Sequence, residues 1–412
     1  MTAVPQSAPI GWRTPAVIVA CGCLAAVLTF GPRSALGFFQ TPIISANGWG
    51  RDTYAFALAL QNLLWGVGQP FMGAIADRFG TVKVLSAGVL LYAAGLALMA
   101  SSTSPIAFDL TAGVLIGFGL AGCSFNIVLA AFGKLLPPEK RSMAFGFGTA
   151  AGSAGQFIFA PLSVGLIGAV GWQETLVIFA IVMLAVIPLS TALATRPEGR
   201  TAEAGEVRDQ SVAHALAEAF RHRSYVLLVL GFFTCGFQIA FITVHLPAYL
   251  GDVGLAPWVG GWTIAVIGIF NIIGSLTSGY LGNRMPKRWI LAGIYLGRSL
   301  VTVAFLMLPA SPASALAFGA LTGIFWLSTV PPTSSLVSIM FGTRYLAMLY
   351  GFAFFSHQVG AFLGVWLGGV IFESTGGYDL VWWLSVALGL ASAAINLPIV
   401  EKPVARAVPA PA

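Results

Sequence analysis

Charge is what this sequence has least of. Only 8% of its 412 residues are Asp, Glu, Lys or Arg, against about 25% in soluble domains. A chain this poor in charge cannot cover itself with a water-facing surface, which excludes a soluble globular protein. Acidic residues are scarcer still: fourteen, all in loops or at the ends of apolar runs. A permease that carries cationic drugs or other lipophilic molecules outward would need an acid within the membrane, so that rival reading loses ground. The four cysteines, Cys21, Cys23, Cys123 and Cys235, lie in apolar stretches with no histidine at metal-ligand spacing. They read as small packing residues and call for neither a metal nor a disulfide. No Gly-Lys-Ser/Thr phosphate loop is present, which argues against ATP. No nucleophile–base pair appears, which argues against an enzyme, and no cofactor is implied. A ligand sensor would need a signalling domain that the short termini leave no room for.

What the chain does have is long apolar runs. It is 58% hydrophobic with a mean hydropathy of +0.89. Twelve segments stand out, near 16–40, 54–76, 83–102, 105–132, 142–169, 173–194, 224–249, 258–282, 288–308, 313–340, 345–373 and 379–400. Each approaches or exceeds the ~20 residues a helix needs to cross a bilayer. Helices are expected because only they, or closed barrels, satisfy their own backbone in lipid. The first run is too long for a signal peptide and is kept as a span.

Every one of the twenty Lys and Arg except Arg33, Arg51 and Arg298 falls on one side of the layer. The positive-inside rule places both termini and those loops in the cytoplasm, here of a bacterial inner membrane. The net charge of +6 sits in short loops and points to the lipid bilayer, not to nucleic acid. The longest hydrophilic stretch divides the chain into 1–194, a cytoplasmic linker 195–223, and 224–412. The fold class expected is therefore all-α and integral to the membrane, twelve helices in two six-helix bundles.

The halves echo each other. Gly73 to Lys83, with Asp77 and Arg78, closes the second span of the first half. Ser278 to Arg288 closes the second span of the other half. Such internal repeats are typical of transporters. The first segment resembles the loop motif of the major facilitator superfamily. Pro32-Arg33-Ser34, the Lys140–Gly146 stretch followed by Ala151-Gly152-Ser153 and Ala160-Pro161-Leu162, and Gly171-Trp172 are similar to the monocarboxylate-porter group and its bacterial relatives, the oxalate–formate exchangers included. The resemblance implies alternating-access transport of a small organic anion, as symporter or antiporter. It implies too that the span-8 stretch Phe270-Asn271 to Gly274-Ser275 faces substrate. That group carries an Asp and an Arg there; this chain has only small polar groups, so anion attraction falls to Arg33.

Arg33 sits roughly 26 Å along the first helix at 1.5 Å per residue. A cation at such depth costs about 2.5–3.5 kcal/mol or more unless it meets water, a partner or a ligand. It is expected to clamp an anion. His357, near mid-depth in span 11, is a second contact or a proton site, since imidazole titrates near pH 6.5. His245 is a further proton-coupling candidate. Asn271, Gln238, Asn126 and Gln61 are candidate substrate contacts, although helix–helix bonding is the default for such amides. Arg298 reads as structural or as snorkelling toward the cytoplasm, with replacement of the missing span-8 charge as the alternative. Asp77 and Arg78 are expected to stabilise one closed state, and Pro331-Pro332 to kink span 10. A proton or a counter-substrate would drive the cycle, and a monomer suffices for it.

Overall fold

The computed structural model describes residues 11–195, 212–342 and 346–404. Twelve long helices account for most of them: α1 Pro15–Asn47, α2 Arg51–Phe79, α3 Thr81–Met99, α4 Pro105–Leu135, α5 Pro138–Val170 and α6 Trp172–Leu193, then α7 Arg223–Asp252, α8 Pro257–Gly282, α9 Lys287–Met307, α10 Pro312–Phe341, α11 Leu346–Thr375 and α12 Asp379–Asn396. Eleven are long and apolar enough to cross a membrane. The other, α2, has the length at 29 residues but carries Gln61, Asn62 and Gln69 along its body. Those amides lower its hydropathy. At 30 residues, α7 is about 45 Å long.

Several helices are interrupted where the sequence supplies a reason. Within α1, Pro32 removes a backbone donor, and the chain tightens to a 3₁₀ turn over Leu36–Phe39. α4 widens to a π-turn over Asp109–Leu115 and breaks at Ser124, whose backbone is extended. α10 is broken outright between Phe325 and Val330. The kink expected at Pro331-Pro332 therefore lies just upstream. The prolines occupy the first turn of the second piece, where a missing N–H has no helical partner to lose. Between α2 and α3 the chain turns at Gly80, whose φ of +90° suits glycine.

Buried apolar side chains form two clusters. One is built mainly on residues 18–193 and the other mainly on 219–399. The two six-helix bundles meet along three lines: α2 against α11, α5 against α8, and α1 against α7. Two glycines of α11 lie on one of the tightest internal contacts. A Cβ at Gly360 or Gly364 would collide with the carbonyls of Phe233 and Phe237 on α7. The linker lies largely outside the described residues. Its amphipathic end forms a short helix, Val212–Arg221, with Ala215 and Ala219 buried.

Candidate functional site

Arg33, near the middle of α1, reaches toward α2. Pro32 and Ser34 on either side are buried, while Arg33 keeps partial access to solvent. One guanidinium nitrogen donates to Asn62 Oδ1 at 2.8 Å. The amide of Asn62 is held in that orientation because its Nδ2 donates to the Leu58 carbonyl, 2.8 Å away. The guanidinium carbon lies 4.7 Å from the Trp65 ring centre and 5.6 Å from that of Phe30. A contact of this kind contributes about 1–2 kcal/mol. Among the described residues no carboxylate pairs with Arg33, and its Nε is buried without a partner. The result is a cation held by one neutral acceptor and two π faces, with a hydrogen-bond donor to spare.

Asn62, not the candidate Gln61, is the α2 amide at this place. One residue along a helix is a turn of about 100°, so the neighbours face different ways. Gln61 donates to the Ala112 carbonyl of α4. Asn62, Trp65 and Gln69 recur at spacings of three and four and form one stripe. Trp65 donates to Gln69 Oε1, and Gln69 in turn to Ser124 Oγ, each at 2.9 Å. The i, i+3, i+7 spacing in the sequence carried this stripe.

The same stripe meets α11. Trp65 packs edge-on to Phe354, with ring centres 5.5 Å apart. Phe354 stacks on His357 at 5.8 Å with the planes only 8° apart. Arg33, Trp65, Phe354 and His357 thus form a continuous line of π groups across the two halves. His357 Nδ1 lies 3.1 Å from Gln358 Oε1, so it carries the proton of that bond. Gln358 is fully buried, and its Nε2 has no partner. Nearby on α7, the Cys235 sulfur contacts Thr329 Oγ1 at 3.2 Å.

The remaining candidates lie elsewhere. Asn271 donates to Ser153 Oγ at 2.8 Å and accepts from Ser275 and from the Leu327 N–H. Gln238 donates to the Ser385 carbonyl and accepts from Arg298. Both spend their capacity on neighbouring helices. Asn126 is exposed on α4, two residues beyond its break. Arg78 is exposed with its guanidinium 5.2 Å from the Phe79 ring. The side chain of Asp77 lies outside the described residues.

Arg298 is not directed at either surface. It is 4% exposed and clamps the break in α10. Its nitrogens donate to the Phe325 carbonyl at 3.0 and 2.6 Å and to the Trp326 carbonyl, and one reaches Gln238 Oε1 at 3.3 Å. A broken helix leaves carbonyls without partners; Arg298 supplies them. From α8, Ser278 donates to the Ser328 carbonyl, which completes the frame.

One end of the interface between halves is tied together by a cluster of contacts around Arg51. Arg51, at the start of α2, holds Asp252 of α7 through two 2.6 Å contacts. Its backbone N–H donates to Glu373, its side chain donates to Tyr378 Oη at 2.8 Å, and its guanidinium covers the Phe372 ring at 3.7 Å. Below this seam His245 is fully buried, between Val365, Tyr378 and Gln40. Toward mid-depth, Gln156 donates to the Ile264 carbonyl of α8.

A family model described as Major Facilitator Superfamily matches residues 22–365 and 261–412. Among curated proteins, the chain is 28% identical to an uncharacterised transporter of that type, YcxA of Bacillus subtilis strain 168, over 91% of this chain and 92% of that one. It is 24% identical to monocarboxylate transporter 13 of Rattus norvegicus, over 96% and 90%. Among solved structures, a bacterial homologue of the human lysosomal transporter Spinster, in an inward-facing and unoccupied conformation, superposes with a TM-score of 0.74 at 17% identity. That match covers 95% of this chain and 97% of the other. A D-xylose–proton symporter superposes with a TM-score of 0.71 at 14% identity, over 94% and 98%.

Proposed function

The chain belongs to the Major Facilitator Superfamily and is a multi-span membrane transporter, not an enzyme; from that premise we propose that it carries a small organic anion, a monocarboxylate, by alternating access. The carrying observation is Arg33: a half-buried guanidinium near the middle of α1, with no carboxylate beside it among the described residues and one N–H to spare. A charge left in that state is costly unless an anion visits it. The distant kinship with a protein named as a monocarboxylate transporter points the same way.

In this reading the halves are residues 1–194 and 224–412, joined by the linker 195–223, and they rock about the site. Both termini and the basic loops face the cytoplasm of a bacterial inner membrane. The Arg51–Asp252 tie holds one end of the interface together in this reading. Arg33 grips the carboxylate. His357, joined to it through Trp65 and Phe354, supplies the second polar contact and the site where a proton couples to transport. Asp77 and Arg78 belong to the cytoplasmic seam, and the broken α10 ahead of Pro331-Pro332 is the bending element.

Uptake of labelled mono- and dicarboxylates into proteoliposomes, with and without a pH gradient, tests the proposal. Saturable uptake of a monocarboxylate is expected. No saturable uptake or exchange of any carboxylate would remove it.

A further inference from the structure

Inside the second half, α7, α9, α10 and α12 leave a small cavity bordered by Gln238, Arg298, Thr302, Thr322, Trp326 and Ser385. Trp326 places it beside the break in α10. It is interior: Arg298, Thr302 and Thr322 are each 4% exposed and Ser385 1%. The room for the centre of a water-sized occupant is about 10 Å³. That suffices for one water molecule or one monatomic ion and excludes a carboxylate. Helical threonines usually return their hydroxyl to a carbonyl one turn back, as Thr243 and Thr263 do in this half. The hydroxyls of Thr302, Thr322 and Ser385 have no partner among the described residues. Buried polar groups left this way are rare, and three around one cavity call for a reason.

Arg298 adds a positive charge to the same wall. Four of its N–H groups are taken, by the Phe325 and Trp326 carbonyls and by Gln238 Oε1. A guanidinium has five, so one remains, on the nitrogen that also reaches Gln238. Cys235 Sγ, 3.5 Å from another nitrogen, is a weak acceptor. The oxygen acceptors are neutral, and among the described residues no carboxylate pairs with Arg298. A buried cation without a counter-charge is costly even when its hydrogen bonds are made.

We propose that this cavity binds one monatomic anion of the halide class, chloride in ordinary salt, which accepts from Arg298, Thr302, Thr322 and Ser385. A water molecule would satisfy the hydroxyls and leave the charge uncancelled. A halide does both, because each of the four groups can donate to it and the bond from Arg298 is charge-assisted. Arg298 and Thr302 belong to α9, Thr322 to the upstream piece of α10 and Ser385 to α12. The ion thereby fastens the broken helix to its two neighbours within one half. The site is distinct from Arg33 and does not rest on the substrate reading.

The test melts the full-length protein in detergent, in sodium chloride and in sodium gluconate at equal ionic strength. Chloride is expected to raise the melting temperature saturably, by about 2 °C or more over gluconate, which is too large for the cavity. Thr302→Val and Thr322→Val keep the side-chain shape. In gluconate both should melt at or above the parent, because each removes a buried hydroxyl that has no partner. In chloride both should lose the rise. Crystals of the parent grown in sodium bromide should show an anomalous scattering peak in the cavity, beside the Thr302 and Thr322 hydroxyls. No chloride response in the parent, a response that survives both valine variants, or a water molecule alone in the cavity of bromide-grown crystals overturns the proposal. Carboxylate uptake enters none of these readouts and decides the substrate reading separately.

Discussion

Gly236 of α7 faces the backbone carbonyl of His357 on α11 so closely that a Cβ there would lie 1.7 Å from the oxygen. No side-chain movement relieves a clash with backbone. The contact also presses His357 against Phe232, with ring centres 5.0 Å apart, and so fixes where its imidazole stands. Gly236→Ala is therefore expected to separate the two helices. Size-exclusion profiles and melting temperatures in detergent should show lower yield and a loss of about 2 kcal/mol or more, as for an overpacked core. A variant as stable as the parent would show that α7 and α11 are not held this tightly.

Trp65 serves both ends of the candidate site. It supports the Arg33 guanidinium and meets Phe354, which stacks on His357. Trp65→Leu keeps an apolar side chain but loses the π face. Its apparent KM for the anion is expected to rise about 5- to 30-fold, the equivalent of the 1–2 kcal/mol that such a contact contributes. Trp65→Phe should lose less. Equal KM values in uptake assays for all three proteins would mean that the ring only fills space.

Arg298 is predicted to matter for folding and not for substrate charge. Arg298→Met removes the donors to the Phe325 and Trp326 carbonyls. Leaving buried carbonyls unpaired costs about 1–3 kcal/mol each, so the melting temperature should fall clearly. Arg298→Lys should recover part of it. If Arg298→Met melts like the parent but loses transport, the residue belongs to the substrate path instead.

Arg51 and Asp252 form the outermost tie between halves, with side chains 11% and 36% exposed. A pair this accessible contributes about 1 kcal/mol or less, enough to bias a balanced equilibrium without locking it. Arg51→Asp and Asp252→Arg should each widen the seam in spin-label distances, and the double exchange should restore it. If the exchange fails to restore it, the Glu373 and Tyr378 contacts of Arg51 carry the closure.

The sequence's long apolar runs and one-sided basic loops were enough to place the twelve helices, because lipid allows few alternatives to a helix of that length. The broken α10 was located only approximately. Its two prolines were visible, but the carbonyls that Arg298 recruits lie on a helix distant in sequence. Arg33 stood out as an isolated charge, whereas Asn62 did not, since adjacent amides at 61 and 62 differ only in the direction they face. The seam was least legible. Arg51, Gln40 and Tyr378 are ordinary residues in sequence and acquire meaning only when the halves meet. Gln61, Gln238 and Asn271 illustrate the converse: polar residues in a span draw attention, yet their partners are neighbouring helices.

The most direct measurement compares saturable monocarboxylate uptake by the parent protein with that by Arg33→Ala in proteoliposomes, at matched insertion and with folding checked by melting temperature. Loss of saturable uptake in Arg33→Ala, with weakened uptake in Arg33→Lys, is the predicted result. Parent-like saturable uptake by Arg33→Ala would contradict the idea that this guanidinium receives the anion.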